Sequence, residues 1–255
     1  MMTSLKQVIY VISLLTSSSI CFADDINVAV AGNFLKPLKV LSTQFELATG
    51  HKLLISVGST GKLFTQITHG APFEIFLAAD QIRPAKLVQQ QLADKDSQFT
   101  YAKGKLALWS QEPELIDQAG NRLKSSNLIH LAIANPKIAP YGEQAIQVLK
   151  HLGLYPQLKD KLLYGQNVGQ VFQYVSSGNV RQGIIPLSQV THNGIITSGS
   201  AWIIPSAFYQ SIKQDAVLLN QGKSNPAAQV FLEYLKSPEA LNIIRSFGYE
   251  VSPHA

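Results

Sequence analysis

Short apolar runs alternate with amphipathic helical patterns along most of this chain, and that alternation limits the folds it can adopt. The first run, INVAVA at residues 26–31, is followed by Leu38, Leu41, Phe45 and Ala48 at helical spacing. Further strands are predicted at residues 53–57, 74–79, 131–134, 162–164 and 182–187. Strands and helices that alternate in this way predict an α/β fold with parallel strands.

Two extended stretches interrupt the alternation. They are FTYAKGKLALWS at residues 99–110, with a turn residue at Gly104, and SAWIIPS at residues 200–206. We interpret them as two crossover strands that form a hinge between two lobes. The first lobe would comprise residues 24–103 and 207–255, and the second residues 104–206. A ligand would then bind in the crevice between the lobes.

The N-terminal residues 1–23 have the layout of a secretory signal peptide. Lys6 precedes a mostly apolar run, and small residues follow up to Ala23. We therefore expect export to the periplasm, with cleavage after Ala23 and loss of the chain's only cysteine, Cys21. A lipoprotein signal would acylate Cys21, but the bulky Ile20 before it favours soluble export, and lipidation stays an open alternative.

The charge of the chain argues against a nucleic-acid partner. The chain carries 21 Lys and Arg against 16 Asp and Glu, with a formal net charge of +5 at pH 7, and has no long basic run. Domains that bind nucleic acid usually concentrate Lys and Arg on one face or helix. We expect a small-molecule ligand, no nucleic acid, and a monomeric protein.

Four turns that follow predicted strands are rich in glycine, hydroxyl and amide groups. Ligands of open α/β sheets bind beyond the carboxyl ends of strands, where loops lead into helices. Lys62 and Lys137 are the basic residues of these turns, and Glu143 is the first acidic one. Backbone N–H groups and neutral donors at helix N-termini form anion sites. The turns, which are AGN (31–33), GSTG (58–61), NPKIAPYG (135–142) and GQNVG (165–169), therefore predict a site for a fully ionised tetrahedral dianion.

The GSTGK segment is not a nucleotide-binding phosphate loop. That motif needs a glycine where Ser56 stands and a serine or threonine where Leu63 stands. A hydrolase that uses Ser59 or Thr60 as nucleophile is an alternative of a different class, although GSTG lacks the spacing of a nucleophile elbow. The six histidines show no zinc-binding spacing. We expect a binding protein and not an enzyme.

At these same turns the sequence resembles the periplasmic molybdate-binding proteins that feed ABC importers. The resemblance implies a two-lobed periplasmic binding protein fold of type II that closes on molybdate or tungstate through neutral hydrogen bonds. It further implies a membrane permease as partner, no cofactor and no catalysis. A receptor for another oxyanion such as sulfate is the nearest alternative. The segments that carry the resemblance are VAVAGNF (28–34), VGSTGKL (57–63), GAPFEIFLAADQ (70–81), LAIANPKIAPYG (131–142), GQNVGQVFQYVSSGN (165–179) and LEYLKSPEALNIIRSFGY (232–249).

The resemblance also implies the ligand-binding residues. Asn33 matches the donor of the first turn, and Ser59 and Thr60 match the hydroxyls of the second, with Thr60 slightly favoured for the side-chain bond. Tyr141 matches a donor from the second lobe, through its backbone or its hydroxyl, and Val168 matches a backbone N–H at a helix N-terminus. Asn33, Thr60, Tyr141 and Val168 would contact molybdenum only as its oxyanion, not as a bare cation.

One position departs from part of the family. Where those members have a ligand tyrosine, this chain has Pro186, which offers no donor. The hydroxyl of Tyr141 could replace the missing donor from a different loop.

Overall fold

The computed structural model describes residues 24–252. The predicted signal peptide, residues 1–23, therefore lies outside the described residues. Within the described range, no helix is both long and apolar enough to cross a membrane.

Strands and helices alternate through this range. The strands are β1 (Asp25–Ala31), β2 (Lys52–Gly58), β3 (Ile75–Leu77), β4 (Phe99–Gly104), β5 (Leu106–Ser110), β6 (Leu131–Ala134), β7 (Leu162–Gly165), β8 (Gly183–Pro186), β9 (Thr191–His192), β10 (Ile195–Ile196), β11 (Ser200–Ile203) and β12 (Ile212–Leu218). The α-helices are α1 (Leu35–Thr49), α2 (Thr60–Thr68), α3 (Ile82–Gln89), α4 (Pro140–His151), α5 (Tyr155–Leu158), α6 (Val168–Ser176), α7 (Pro226–Tyr234) and α8 (Pro238–Ser246).

The first lobe is built on a sheet with the strand order β2-β1-β3-β12-β4. β1 is buried on both faces: Val28 and Val30 contact one core with α1, α7 and α8, while Ala29 contacts a second core that includes Leu63 of α2. This explains why β1 reads as a continuous apolar run and not as an alternating one. β1, β2 and β3 are parallel, as predicted, whereas β12 is antiparallel to its neighbours.

The spacing of apolar residues in the sequence explains why helix α1 forms and which face it buries. Leu38, Leu41 and Phe45 are fully buried on one face of the helix. Gly50 ends it in a left-handed conformation with φ of 80°, which costs glycine little because it has no Cβ. Helix α2 begins at Thr60, and this places the Ser59–Thr60 pair at the helix N-terminus.

The second lobe is built on a sheet with the strand order β11-β5-β8-β6-β7. β6 is parallel to β7 and β8, and β5 is antiparallel to β8 and β11. Trp109 of β5 is fully buried and stacks on Phe172 of α6, with 5.1 Å between the ring centroids. The predicted two-lobed α/β fold is confirmed, with mixed sheets in place of purely parallel ones.

The sequence predicted the first crossing between the lobes better than the second. The first is short, since β4 ends in the first sheet at Gly104 and β5 starts in the second at Leu106. The second was predicted at residues 200–206, and this is wrong for its first half. Ser200–Ile203 form β11, an edge strand paired with β5, and the chain passes to the first lobe only after Ile204. An edge strand and a crossing segment are both extended and partly apolar, so their sequence patterns coincide.

The N-cap of α8 offers a test of local helix stability. Ser237 Oγ accepts a hydrogen bond from the Ala240 N–H at 3.2 Å. We expect Ser237→Ala to lower the free energy of unfolding by about 1 kcal/mol, because it leaves a helix N–H without its partner. Urea unfolding would measure this change, and Ser237→Asp, which keeps the cap, should show none. Equal loss in both variants would contradict this role.

Candidate functional site

A small cavity lies where the strand-end turns of both lobes meet. Its volume is about 10 Å³, which is close to the minimum that holds one water molecule. A larger surface hollow of about 310 Å³, lined by residues of β4, β12 and the C-terminal segment, contains none of the predicted ligand residues. The cavity is lined by Ala31, Gly32, Asn33, Gly58, Ser59, Thr60, Ala79, Ala139, Pro140, Tyr141, Asn167 and Val168.

Four helix N-termini, two from each lobe, converge on this cavity. In the first lobe these are the short 3₁₀-helix Gly32–Phe34, which leads into α1, and helix α2. In the second lobe they are α4 and α6, which begin at Pro140 and Val168. The first N–H groups of a helix have no acceptor within that helix, and the helix dipole places partial positive charge there. The cavity therefore favours an anion.

Among the described residues that line the cavity, none is charged and none is a histidine. Lys62, Lys137 and Glu143, the charged residues of the predicted turns, are exposed and lie outside the lining. Within residues 24–252, no group of three or more His, Cys, Asp and Glu side chains could hold a metal ion. The arrangement can bind an anion only through neutral donors.

The hydroxyl groups of three residues that line the cavity are held in the same way. Ser59 Oγ accepts a hydrogen bond from the Lys62 N–H at 3.3 Å, and Thr60 Oγ1 accepts one from the Ala79 N–H at 3.2 Å. Tyr141 Oη accepts one from Gln214 Nε2 at 3.0 Å. Because a hydroxyl proton cannot point at an N–H donor, each of the three protons is directed elsewhere. All three hydroxyls are thus prepared to donate.

Tyr141 keeps its proton over the physiological pH range. Its side chain is buried, and burial raises the pKa of the Tyr141 hydroxyl well above its ordinary value, with smaller contributions from Tyr249 and Tyr101. Pro186, in contrast, ends β8 opposite Leu106 and does not line the cavity. Tyr141 therefore lines the cavity, whereas the residue at position 186 does not.

Asn33 lines the cavity, but its side-chain amide is engaged elsewhere. Asn33 Nδ2 donates to Gln214 Oε1 at 2.6 Å and to Tyr249 Oη at 3.0 Å, which uses both amide hydrogens. Its carbonyl oxygen accepts from Ser188 Oγ at 2.9 Å and from Tyr249 Oη at 2.8 Å. The donor that Asn33 can offer to a ligand in this arrangement is its backbone N–H, in the first turn of the 3₁₀-helix.

Val168 lines the cavity, and its backbone N–H as a ligand donor stays a prediction. It is the first residue of α6, and Asn167 before it caps the helix by accepting from the Gln170 N–H at 3.0 Å. Its side chain faces Gly32 of the other lobe, where an added Cβ would lie 3.6 Å from Val168 Cγ2. Asn33, Ser59, Thr60, Tyr141 and Val168 are therefore all at one cavity; their role as ligand residues stays a prediction.

The two lobes touch across the cleft. The Gly61 N–H of α2 donates to the Ile138 carbonyl oxygen of the second lobe at 2.9 Å. Lys36 of α1 donates to the Gln189 carbonyl oxygen and lies over the Phe172 ring, 5.2 Å from its centroid. Burial lowers the pKa of Lys36 from its ordinary value. These contacts describe a closed arrangement of the lobes.

Sequence reasoning missed the buried network behind the cavity. Gln214 is fully buried, and Tyr101, Ser188 and Tyr249 connect it with Asn33 and the lobe interface. These residues are far apart in the sequence and belong to none of the four turns from which the site was predicted. The sequence held one signal for this network. Gln214 and Asp215 stand directly before the apolar end of β12, and polar side chains buried in a strand need hydrogen-bond partners.

Comparison with known proteins assigns the chain to a family. The sequence profile of a family described as "Bacterial extracellular solute-binding protein" matches residues 26–250. The chain belongs to this family. Within it, the chain is 49% identical over 227 residues to the molybdate-binding protein ModA of Azotobacter vinelandii, covering 89% of this chain and 90% of that protein. It is 46% identical over 227 residues to ModA of Rhodobacter capsulatus, covering 89% and 88%.

A solved structure gives the same assignment. The periplasmic molybdate-binding protein of Azotobacter vinelandii superposes on this solute-binding protein with a TM-score of 0.86 and 40% sequence identity, covering 89% of this chain and 99% of that one. The resemblance deduced from the strand-end turns is thus confirmed.

Proposed function

We propose that this solute-binding protein is the exported receptor of an ABC importer and that it binds molybdate, and also tungstate, as the dianion. One observation carries the proposal: uncharged donors at four helix N-termini, from both lobes, surround a single small cavity. The relatives that match over nearly the whole chain carry the name molybdate-binding protein. The ligand would bind by neutral hydrogen bonds, without a basic side chain and without a cofactor.

The donor set supports a ligand that presents only acceptors. Ser59, Thr60 and Tyr141 each use a lone pair on a protein N–H, and their protons are left to donate. A tetrahedral dianion without hydrogens accepts from all of them. An anion that carries a proton, such as hydrogen phosphate, is recognised best by a carboxylate that accepts this proton, and the described lining contains no carboxylate. This favours molybdate, tungstate or sulfate over phosphate.

Charge alone does not separate molybdate from sulfate, since both are tetrahedral dianions with the same acceptors. Selection between them would depend on cavity size, which decides how many of the donors reach an oxygen at once. Because the donors belong to two lobes, the distance at which the lobes close would set the accepted anion.

We propose cleavage after Ala23, a periplasmic location, a monomeric state and a membrane permease that recognises the closed form. The proposal contains no catalytic step. Ser59 is engaged as a helix cap, and no histidine lines the described cavity as a base for it, which counts against the hydrolase alternative.

Isothermal titration with molybdate, tungstate, sulfate and phosphate tests the proposed function. We expect tight binding of molybdate and tungstate, with sulfate at least tenfold weaker and phosphate weaker still. Sulfate affinity equal to that for molybdate would overturn the choice of ligand. Ester hydrolysis that disappears in Ser59→Ala, in a protein that binds no oxyanion, would instead support the hydrolase.

Removal of the Thr60 hydroxyl tests one donor by itself. Thr60→Val keeps the size and branching of the side chain but removes the O–H, so molybdate binding should weaken by about 1.5–3 kcal/mol, the usual value for a hydrogen bond to a charged group. Thr60→Ser, which keeps the hydroxyl, is the matched control and should bind within a few-fold of wild type. Titration calorimetry measures both, and equal affinity of the Thr60→Val variant and wild type would contradict the role of Thr60.

A further inference from the structure

Gln214 stands at the centre of the buried network behind the cavity. It belongs to β12 in the first lobe, is fully buried, and does not line the cavity. Its Oε1 accepts hydrogen bonds from Asn33 Nδ2 at 2.6 Å and from Tyr101 Oη at 3.1 Å. Its Nε2 donates to Tyr141 Oη of the second lobe at 3.0 Å. A single side chain therefore connects the predicted donors of the two lobes.

The contact with Asn33 gives these hydrogen bonds their direction. Asn33 Nδ2 donates to Oε1, so the acceptor end of the amide faces Asn33. Tyr101 Oη has one proton, and the Ala78 carbonyl oxygen at 3.0 Å and Gln214 Oε1 at 3.1 Å are both within its reach. The donor end of the Gln214 amide then faces Tyr141, and the Tyr141 proton must point away from Gln214. Tyr249 Oη, which is hydrogen-bonded to Asn33 and Ser188, is the other acceptor within reach of the Tyr141 proton, and a bound anion would compete with it.

We propose that Gln214 is a positioning residue for oxyanion binding, which sets the polarity of the Tyr141 hydroxyl so that its proton is directed to the ligand. The inference rests on the proposed function. Gln214 acts through Tyr141 and does not touch the ligand. Gln214 Nε2 donates a hydrogen bond to the Tyr141 hydroxyl, as backbone N–H groups do to the hydroxyls of Ser59 and Thr60. Of these three donors, the Gln214 amide is the one that a substitution can remove.

Because Gln214 and Tyr141 belong to different lobes, the orientation of the Tyr141 hydroxyl depends on closure of the lobes. Gly104, at the crossing between the lobes, has no Cβ, and a Cβ there would lie 1.9 Å from Tyr141 Oη and 2.6 Å from Gln214 Nε2. The hinge backbone thus leaves the space in which the two side chains meet. Tyr141 receives its hydrogen bond from Gln214 when the second lobe is against the first, so the hydroxyl is oriented in the closed form.

A double-mutant cycle between Gln214→Glu and Tyr141→Phe tests this inference, with molybdate titrations at pH 8. The carboxylate that Gln214→Glu introduces would accept from Tyr141, turning its proton away from the ligand, and would add a negative charge. We expect Gln214→Glu to weaken binding by about 100-fold or more, and Tyr141→Phe by about tenfold, the loss of a hydrogen bond to a charged group. In a protein that already carries Tyr141→Phe, the Gln214→Glu substitution should cost about tenfold less than in wild type.

Gln214→Met separates polarity from charge in the same cycle. It removes the donor without adding a carboxylate, so binding should weaken severalfold when Tyr141 is present and stay nearly unchanged in the Tyr141→Phe protein. This uncharged variant also serves where Gln214→Glu fails to fold. Equal costs of the Gln214 substitutions in both backgrounds would overturn the inference, because a merely structural role of Gln214 would not depend on the Tyr141 hydroxyl.

Gln182→Glu is the matched control. Gln182 is also buried, but it contacts Arg122 and the His130 carbonyl oxygen in the second lobe, away from the cavity lining. Its substitution should lower thermal stability without changing molybdate affinity. Wild type that binds no molybdate would refute the proposed function, whereas wild type that binds it with an additive cycle would refute only the role of Gln214.

Discussion

A Ser59→Asp variant is expected to fold as stably as wild type and to lose molybdate binding almost completely. Asp and Ser are equally good N-caps, and a carboxylate at the N-terminus of α2 interacts favourably with the helix dipole. The same carboxylate would lie in the lining of a cavity without basic side chains. At an effective dielectric constant of about 20, two unit charges about 4 Å apart repel by about 4 kcal/mol, and a dianion doubles this to about 8 kcal/mol.

The expected loss of affinity for Ser59→Asp is therefore more than a thousandfold. Titration calorimetry at pH 8, where the new carboxylate is ionised, measures it, and thermal unfolding without ligand checks the fold. Ser59→Asn is the control, since asparagine also caps helices but carries no charge, and it should bind within about tenfold of wild type. Molybdate bound by Ser59→Asp as tightly as by wild type would place the anion outside this cavity.

A Gly61→Leu variant is expected to keep its fold and to lose closure of the lobes. Gly61 lies on α2 in the first lobe, and a Cβ at this position would be 3.0 Å from the Ile138 carbonyl oxygen in the second. The remaining side-chain atoms of leucine would need the space that Ile138 occupies. With the lobes held apart, the ligand would lose the donors of the second lobe, Tyr141 and Val168. Two hydrogen bonds to a charged group correspond to about 3–6 kcal/mol.

The control for Gly61→Leu is Gln66→Leu, which places the same side chain at an exposed position of the same helix. It should bind molybdate like wild type. Titration calorimetry gives the affinities, and small-angle X-ray scattering with and without molybdate shows whether each variant becomes more compact. Compaction of Gly61→Leu to the same radius of gyration as wild type would show that the Gly61–Ile138 contact does not limit closure.

Local patterns predicted the elements of the fold well because short-range physics decides them. The apolar run of β1 and the spacing of Leu38, Leu41 and Phe45 on α1 correspond to elements that bury these residues. The second crossing was predicted too early, because β11 is extended in the same way as a linker. Only pairing with β5, which is remote in sequence, shows that Ser200–Ile203 belong to the second sheet.

The candidate site likewise contains some features that local sequence predicts and others that it does not. Turn residues such as Ser59 and Thr60 are recognisable in the sequence because a helix N-terminus that follows a strand has a characteristic composition over a few residues. Their placement at one cavity follows because the carboxyl ends of parallel strands lie at the same edge of a sheet. The engagement of the Asn33 amide by Gln214 and Tyr249 has no such signal, because those partners are 181 and 216 residues away in the sequence. Side-chain polarity at a site depends on every neighbour of the group, local or not.

The sequence by itself therefore determined the two-lobed α/β architecture, the family, and the neutral, glycine- and hydroxyl-rich turns that face the cleft. Each of these follows from periodicity, turn chemistry or motif within a few tens of residues. Only the tertiary structure decided which atoms of those turns remain available as donors. For Asn33 and Tyr141 that choice is made by hydrogen bonds to Gln214 and Tyr249, which folding brings from distant parts of the chain.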